Sequence, residues 1–150
     1  QHYRFLEEVD RIMAGYASCE PRIELEITET DIMTEEMVLD RLLERGFRIS
    51  IDDFGTGYSS LAYLKYLPVD TIKIDRSFIG NITENSSDKE IVKAAIKMGH
   101  ALGKNVLAEG VETEEAMKLL KEMGCDCVQG YYISRPVPKE KIIELLVQYS

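Results

Sequence analysis

Residues 51–60 have the sequence IDDFGTGYSS, and this stretch decides how the rest of the chain is interpreted. The apolar run from Phe47 to Ile51 predicts a β-strand, which ends on the adjacent carboxylates of Asp52 and Asp53. Two glycines follow, and a helical pattern then begins. In parallel α/β folds, functional sites are built where a strand ends and its loop begins. The two acids are therefore the first candidate site residues.

Strands and helices alternate on both sides of this stretch. Apolar spacing and end signals predict strands at 23–28, 47–52, 69–75, 105–109 and 126–129. They predict helices at 3–17, 34–45, 59–66, 85–102, 113–123 and 138–148, with a short turn or helix at 76–82. Strict alternation with short connections predicts parallel strands joined by crossover helices. No segment has the composition of a linker, so residues 1–150 are predicted to form one domain.

Two α/β architectures fit this order: a doubly wound sheet and part of a (β/α)8 barrel. Each predicted strand has one apolar face, whereas its other face carries a polar residue near the carboxyl end. A doubly wound sheet is covered by helices on both faces and needs strands that are apolar throughout. The pattern therefore favours the barrel. Because barrels usually take about 250 residues, five strand–helix units predict an incomplete one.

The polar strand residues are predicted to converge at one mouth of the barrel, with Asp53 beside them and Glu29 and Glu112 in the following loops. Several adjacent carboxylates cannot all stay ionised unless cations neutralise them. Carboxylate oxygens favour Mg²⁺ or Mn²⁺, so a metal site is predicted. The alternative is that they are solvated loop acids in a chain with 27 of them. The strand residues concerned are Glu26, Asp52, Lys73, Glu109 and Gln129.

Two of these residues allow a second interpretation. Lys73 could stabilise developing negative charge or orient a water molecule, or it could be a strand-edge charge that extends to solvent. Gln129 could hydrogen-bond a purine edge, or it could face solvent.

Composition limits the partners. The net charge of −9 argues against binding to the backbone of DNA or RNA. No apolar run reaches the roughly 18 residues of a membrane span, and no signal peptide opens the chain. A cytoplasmic location without membrane contact is therefore expected. Cys19, Cys125 and Cys127 lack the spacing of a zinc site and are predicted to be small buried residues.

Six motifs in order resemble the EAL family of cyclic-di-GMP phosphodiesterases, and they extend over essentially the whole chain. They are ExTE at 26–29, DDFGTGYSS at 52–60, KID at 73–75, EGVE at 109–112, QGY at 129–131 and RPxP at 135–138. The resemblance implies a (β/α)8 barrel that hydrolyses cyclic di-GMP to the linear dinucleotide pGpG in bacterial signal transduction. It also implies two bound Mg²⁺ or Mn²⁺ ions.

The resemblance implies a role for each matching residue. Glu26 and Asp52 would be metal ligands, with Asp52 bridging both ions, and Asp53 would bind the second ion. Glu109 would act at the second metal or as general base.

Other matching residues would serve the substrate and the loop. Lys73 would contact the attacking water or the phosphate, and Glu29 would anchor the loop that begins at Asp53. The implied substrate-binding residues are Asp75, Gln129, Arg135 and Pro136, with Gln129 near the guanine or the water.

Two features of the family pattern are absent from the sequence: the Glu-Ala-Leu motif and the Asn of the next family strand, both ligands of the first metal. The resemblance therefore implies that residues 1–150 are the C-terminal portion of one EAL-type barrel domain, with GGDEF or sensory domains possible in the parent protein. Five strands cannot close a barrel built for eight, and exposed edge strands invite pairing. A homodimer is expected, together with little or no hydrolysis by the 150-residue chain alone.

Two other functions remain open at this point. A degenerate EAL domain could bind cyclic di-GMP as a sensor or act as a protein-interaction module. A metal-dependent barrel enzyme of another class, such as an enolase relative, fits the acids and the lysine but not the DDFGTG loop.

Overall fold

A computed structural model describes residues 2–14, 24–28, 36–54 and 64–148. The strands are β1 (Glu24–Thr28), β2 (Arg48–Phe54), β3 (Thr71–Ile74), β4 (Asn105–Glu109) and β5 (Cys127–Gln129). The helices are α1 (His2–Ala14), α2 (Glu36–Glu44), α3 (Arg76–Ile79), α4 (Ser86–Ala101), α5 (Glu114–Glu122) and α6 (Lys139–Gln148). All five predicted strands are confirmed within a few residues. The helix predicted at 59–66 lies outside the described residues except for its last three positions.

The strands form one sheet in the order β1-β2-β3-β4-β5, and every neighbouring pair is parallel. Connections between neighbouring parallel strands are right-handed in almost all proteins, and the crossover helices α2, α4 and α5 pack on the apolar side of the sheet. A doubly wound sheet would instead reverse its strand order at a switch point. The predicted incomplete (β/α)8 barrel of parallel strand–helix units is therefore confirmed.

The apolar core lies between the sheet and its helices. Six helix-facing residues of the three central strands are at most 1% exposed: Ile49, Ile51, Ile72, Ile74, Val106 and Ala108. The helices contribute two groups of apolar residues. Around β1–β3 pack Leu6 of α1 and Leu39 and Leu42 of α2. Around β3–β5 pack Val92 and Ile96 of α4 and Leu120 of α5. This side of the sheet thus holds the fold together, and the opposite side is left for polar residues.

Two of the helices begin as the sequence predicts. The side chain of Asn85 accepts a hydrogen bond from the backbone N–H of Ser87 at 2.9 Å and caps α4. Thr113 caps α5 by accepting from the backbone N–H of Ala116 at 3.2 Å. These caps satisfy backbone donors that have no partner inside the helix.

Strand β2 differs from its prediction at its carboxyl end. It continues through Phe54, so Asp53 is a strand residue and not the first residue of the loop. Its pairing with β3 shifts between Ile51, opposite Ile72, and Phe54, opposite Ile74. Three steps along β2 match two along β3, which is the signature of a β-bulge. Without a bulge, alternation from Asp52 would put Phe54 on the polar side, whereas Phe54 is buried on the helix-facing side.

The cysteines only partly follow their prediction. Cys125 is half-buried, and burial raises the pKa of its thiol to about 11. Cys127 is exposed, which contradicts the predicted burial, because it lies on the side of β5 away from the helices. Cys19 lies outside the described residues.

In the part of the chain that the structure describes, no helix has the length and apolar character needed to cross a membrane.

Candidate active site

Lys73 is the centre of the polar face of the sheet. Its side chain is only 3% exposed, and its Nζ lies 2.7 Å from Glu26 Oε1, 2.7 Å from Glu109 Oε1 and 3.2 Å from Asp52 Oδ1. A lysine ammonium has three N–H donors, so each carboxylate can take one. Four residues predicted from separate strands are thus brought into one contact group, named here the Lys73 cluster. The interpretation of Lys73 as an edge charge extending to solvent is wrong.

Strand register explains why these side chains meet. Glu26 of β1 stands opposite Ser50 of β2, so its side chain passes over β2 to reach Lys73 on β3. On the other side, Lys73 pairs with Leu107 of β4, and Glu109 lies two residues further along the same face. Because side chains alternate along a strand, all these residues point away from the helices.

The bulge in β2 lies beside Lys73 and carries the remaining acid of the cluster, Asp52. Two consecutive acids, Asp52 and Asp53, occupy the bulge opposite the single residue Lys73. Bulges re-aim side chains and are frequent beside active sites. The side chain of Asp53 is not described, so its predicted metal-binding role stays a prediction.

The three carboxylates of the Lys73 cluster act on the protonation of the lysine. Burial by itself would lower the pKa of Lys73, but hydrogen bonds to Glu109, Glu26 and Asp52 outweigh it and raise that pKa above its ordinary value. Lys73 therefore remains a cation throughout the physiological range. The three carboxylates differ in exposure, from 53% for Glu26 to 28% for Asp52 and 19% for Glu109. With all groups ionised, three negative charges and one positive charge leave the cluster at −2.

A second polar layer lies towards the amino ends of the strands. Ser50 is fully buried, and its hydroxyl has no hydrogen-bond partner among the described residues. Its neighbour Thr71 donates a 3.5 Å hydrogen bond to Glu24 Oε2. Ser50 and Thr71 each lie two residues before a member of the Lys73 cluster, Asp52 and Lys73. This two-residue alternation is the sequence signal that could have identified the layer, for which no role was predicted.

Asp75 is held by the helix that follows it. Its side chain caps α3 by accepting from the backbone N–H of Ser77 at 2.9 Å. A hydrogen bond from the Ser77 side chain, helped by the one from its backbone N–H, lowers the pKa of the Asp75 carboxyl. The strand predicted to reach Asp75 ends at Ile74, and its role in substrate binding stays a prediction.

Gln129 and Arg135 lie at and beyond the end of β5. Gln129 is exposed and pairs with Glu109 in the strand register, so both stand at the carboxyl end of the sheet. The guanidinium of Arg135 lies 4.5 Å from the centre of the Tyr131 ring, a cation–π distance. Pro136 beside it is exposed. Glu29, predicted to anchor the loop after β2, lies outside the described residues.

A cavity of about 400 Å³ lies between the loops that follow β3 and β4. Glu112, predicted in the loop after β4, lines it. The other lining residues are Arg76, Ser77, Ile79, Gly80, Asn81, Gly110, Thr113 and Ala116.

The donor set of the Lys73 cluster suits a divalent cation. Carboxylate oxygens are the ligands that hard cations such as Mg²⁺ and Mn²⁺ prefer. Within the described residues, no group of three or more His, Cys, Asp or Glu is arranged as a metal cage. The three carboxylates converge on the Lys73 ammonium instead. The ligand chemistry therefore fits a metal, and an internal cation stands where the oxygens meet.

Comparison with known proteins identifies close relatives. The family model described as EAL domain matches residues 1–136. The cyclic di-GMP phosphodiesterase NbdA of Pseudomonas aeruginosa is 49% identical over 140 residues, which are 91% of this chain and 18% of NbdA. The bifunctional diguanylate cyclase/cyclic di-GMP phosphodiesterase MucR of the same organism is 45% identical over 123 residues, 79% of this chain and 18% of MucR. The chain thus spans about a fifth of the length of these relatives.

Solved structures show the same fold. The PaMucR phosphodiesterase in complex with c-di-GMP superimposes with a TM-score of 0.84 at 42% identity, over 91% of this chain and 57% of that one. The Klebsiella pneumoniae BlrP1 complex with manganese and cy-diGMP gives a TM-score of 0.74 at 32% identity, over 90% of this chain and 36% of that one.

Proposed function

Because the chain belongs to the EAL domain family, we propose that its Lys73 cluster is part of an active site that hydrolyses cyclic di-GMP to pGpG. The observation that carries this proposal is the convergence of Glu26, Asp52 and Glu109 on one buried lysine at the carboxyl end of the sheet. Relatives at 45–49% identity bear the name of cyclic di-GMP phosphodiesterases, which supports the same substrate.

The residues that would hold the metals are Glu26, Asp52, Asp53 and Glu109. A pair of Mg²⁺ or Mn²⁺ ions would supply an activated water and electrostatic stabilisation of the phosphodiester oxygens. The solved complex of BlrP1 with manganese supports this choice of ion class.

The chain's own residues would perform the remaining chemistry. Lys73 keeps its positive charge and would stabilise the negative charge that develops on the phosphate. Glu109 would take the proton of the attacking water as general base. Attack on phosphorus breaks one P–O3′ bond, and the released 3′ oxygen takes up a proton.

Substrate binding is proposed for residues around the mouth of the barrel. The Gln129 amide would hydrogen-bond the guanine or the attacking water, and Arg135, Pro136 and Asp75 would contact the nucleotide. Glu29 would anchor the loop after β2.

The test is hydrolysis of cyclic di-GMP with Mg²⁺ or Mn²⁺ by the full-length parent protein and by its Asp52→Asn variant, because the 150-residue chain alone is expected to show little or no turnover. The substitution removes the negative charge of a metal ligand. Bound metal ions stabilise the transition state by several kcal/mol, so turnover should fall at least about a hundredfold. Asp40→Asn, an exposed aspartate of α2, is the matched control and should keep full activity. Activity retained by Asp52→Asn would contradict the assignment of Asp52 as a metal ligand.

A second function is binding of cyclic di-GMP without hydrolysis, as a sensor or interaction module. The observation that favours it is the absence of a ready-made metal cage among the described residues. Saturable binding of cyclic di-GMP by the full-length parent protein, with no pGpG formed at saturating Mn²⁺, would select this function over the enzyme.

The wider setting of the chain is also proposed. Its relative MucR bears the name of a bifunctional cyclase and phosphodiesterase, which supports a parent protein with GGDEF or sensory domains. We place this segment in the cytoplasm and expect it to act as a homodimer.

A further inference from the structure

The Lys73 ammonium lies at the point where the three carboxylates of the cluster meet. It is 97% buried, and carboxylates lie within 3.2 Å of it on three sides, from β1, β2 and β4. An ammonium has only three N–H donors, and each has a carboxylate partner here. No donor of Lys73 is then left for a phosphate or a water molecule, although both are the partners that catalysis would require.

We propose that Lys73 is an internal cation that must leave its three carboxylates when a divalent metal loads, and that it becomes available to the substrate phosphate only then. This inference rests on the proposed metal-dependent function and deepens it. Metal binding and phosphate binding would therefore be coupled through one side chain.

The net charge of the Lys73 cluster supports displacement of the ammonium by a metal. Three carboxylates and the ammonium sum to −2, and one divalent ion brings the group to zero with the ammonium still present nearby. The metal needs the same oxygens that the ammonium holds, because Glu26, Asp52 and Glu109 are its candidate ligands. Two cations a few ångströms apart repel each other, so the displaced ammonium gains by moving towards a phosphate.

The first experiment measures Mn²⁺ binding by calorimetry without nucleotide. Lys73→Met removes the competing cation and keeps an unbranched side chain that lacks only the terminal ammonium position, so the Kd for Mn²⁺ should tighten at least about tenfold. Cyclic di-GMP hydrolysis should be lost when the same substitution is made in the full-length parent protein, because the phosphate loses its cation. Tighter metal binding together with lost turnover is a combination that simple unfolding cannot produce.

Lys104→Met is the matched control. Lys104 is also buried, but its Nζ donates to the backbone oxygens of Leu67 at 2.8 Å and Val69 at 3.0 Å and not to the Lys73 cluster. Its substitution should leave the Kd for Mn²⁺ unchanged. An equal Kd in wild type and Lys73→Met, or no Mn²⁺ binding in either, would overturn the inference.

A second measurement uses the wild-type protein and so does not depend on the folding of a variant. The ¹⁵Nζ signal of a buried, hydrogen-bonded lysine ammonium is observable by NMR, and the diamagnetic Mg²⁺ should shift it as the ammonium leaves the carboxylates. An Lys73 signal unchanged at saturating Mg²⁺ would overturn the inference even if hydrolysis is active. A shifted signal together with no hydrolysis by the full-length parent protein would instead overturn the proposed enzymatic function and leave the inference standing.

Discussion

Ser50 is a buried hydroxyl in the middle of β2 whose oxygen has no hydrogen-bond partner among the described residues. Glu24 and Glu26 of β1 both reach across β2 to partners on β3, at Thr71 and Lys73, and Ser50 lies beneath them. A buried polar group without a partner costs free energy that a methyl group does not. Ser50 is therefore a weak point of stability close to the site.

Ser50→Ala should raise the free energy of unfolding by about 1 kcal/mol, because it removes an unsatisfied buried hydroxyl. Urea denaturation at an unchanged m-value measures this. Thr71→Val, which deletes a hydroxyl that does have a partner, is the control and should not stabilise. A loss of stability in Ser50→Ala would mean that the hydroxyl is satisfied in solution.

Gly130 allows the end of β5 to approach the loop after β4. A Cβ at this position would lie 2.2 Å from the backbone oxygen of Val111 and 2.3 Å from its nitrogen. The same nitrogen donates a 3.0 Å hydrogen bond to Gln129 O, so this contact positions the proposed guanine-binding residue. Only glycine fits at position 130, because any side chain would overlap the backbone of Val111.

Gly130→Ala should cost about 1–3 kcal/mol of stability, since backbone atoms must move apart to admit the methyl group. It should also raise the KM for cyclic di-GMP by displacing Gln129. Gly80→Ala is the matched control, because its Cβ would meet only ordinary contact with Arg76 O at 3.5 Å. Equal stability of the two variants by thermal unfolding would refute the packing argument.

Asp126 joins three elements at the amino end of the sheet. Its Oδ2 accepts from His100 Nε2 at the end of α4 and from the backbone N–H of Val106 in β4, both at 2.8 Å. Burial alone would raise the pKa of the Asp126 carboxyl, but the hydrogen bonds from His100 and Val106 lower it. The carboxylate form is thus the one that holds β5 against its neighbours.

A lowered pKa in the folded state means that Asp126 stabilises the fold above its unfolded pKa of about 4, and that this contribution is lost as pH falls through the folded value. At pH 7, Asp126→Asn should cost about 1 kcal/mol or less, since the side chain is 35% exposed. The difference from wild type should shrink below about pH 4 in urea denaturation. A difference that does not change with pH would show that the charge is not involved.

The whole sheet presents two free edges among the described residues, at β1 and β5. Unpaired strand edges offer backbone donors and acceptors to another chain. Light scattering should therefore give a mass twice that of the 17.1 kDa chain. A monodisperse monomer would contradict the proposed homodimer.

Much of the molecule could be predicted from its sequence because strand alternation is a local property. The apolar positions of β2, β3 and β4 pointed to the helix-facing core, and the polar positions 26, 52, 73 and 109 pointed to one shared face. Caps at Asn85 and Thr113 marked the starts of α4 and α5 through their own backbone geometry. The six motifs identified the family on the same local basis, and the family match over residues 1–136 confirms it.

Tertiary structure alone decided how those residues meet. The β2 bulge depends on pairing with β3, so counting along the chain could not show that Asp52 and Asp53 share a place opposite Lys73. The sequence by itself determined which side chains lie on the polar face, because that depends on a two-residue repeat. Only the packed sheet determined that Lys73 holds three of its carboxylates, because burial and distance between strands depend on residues far apart in the chain.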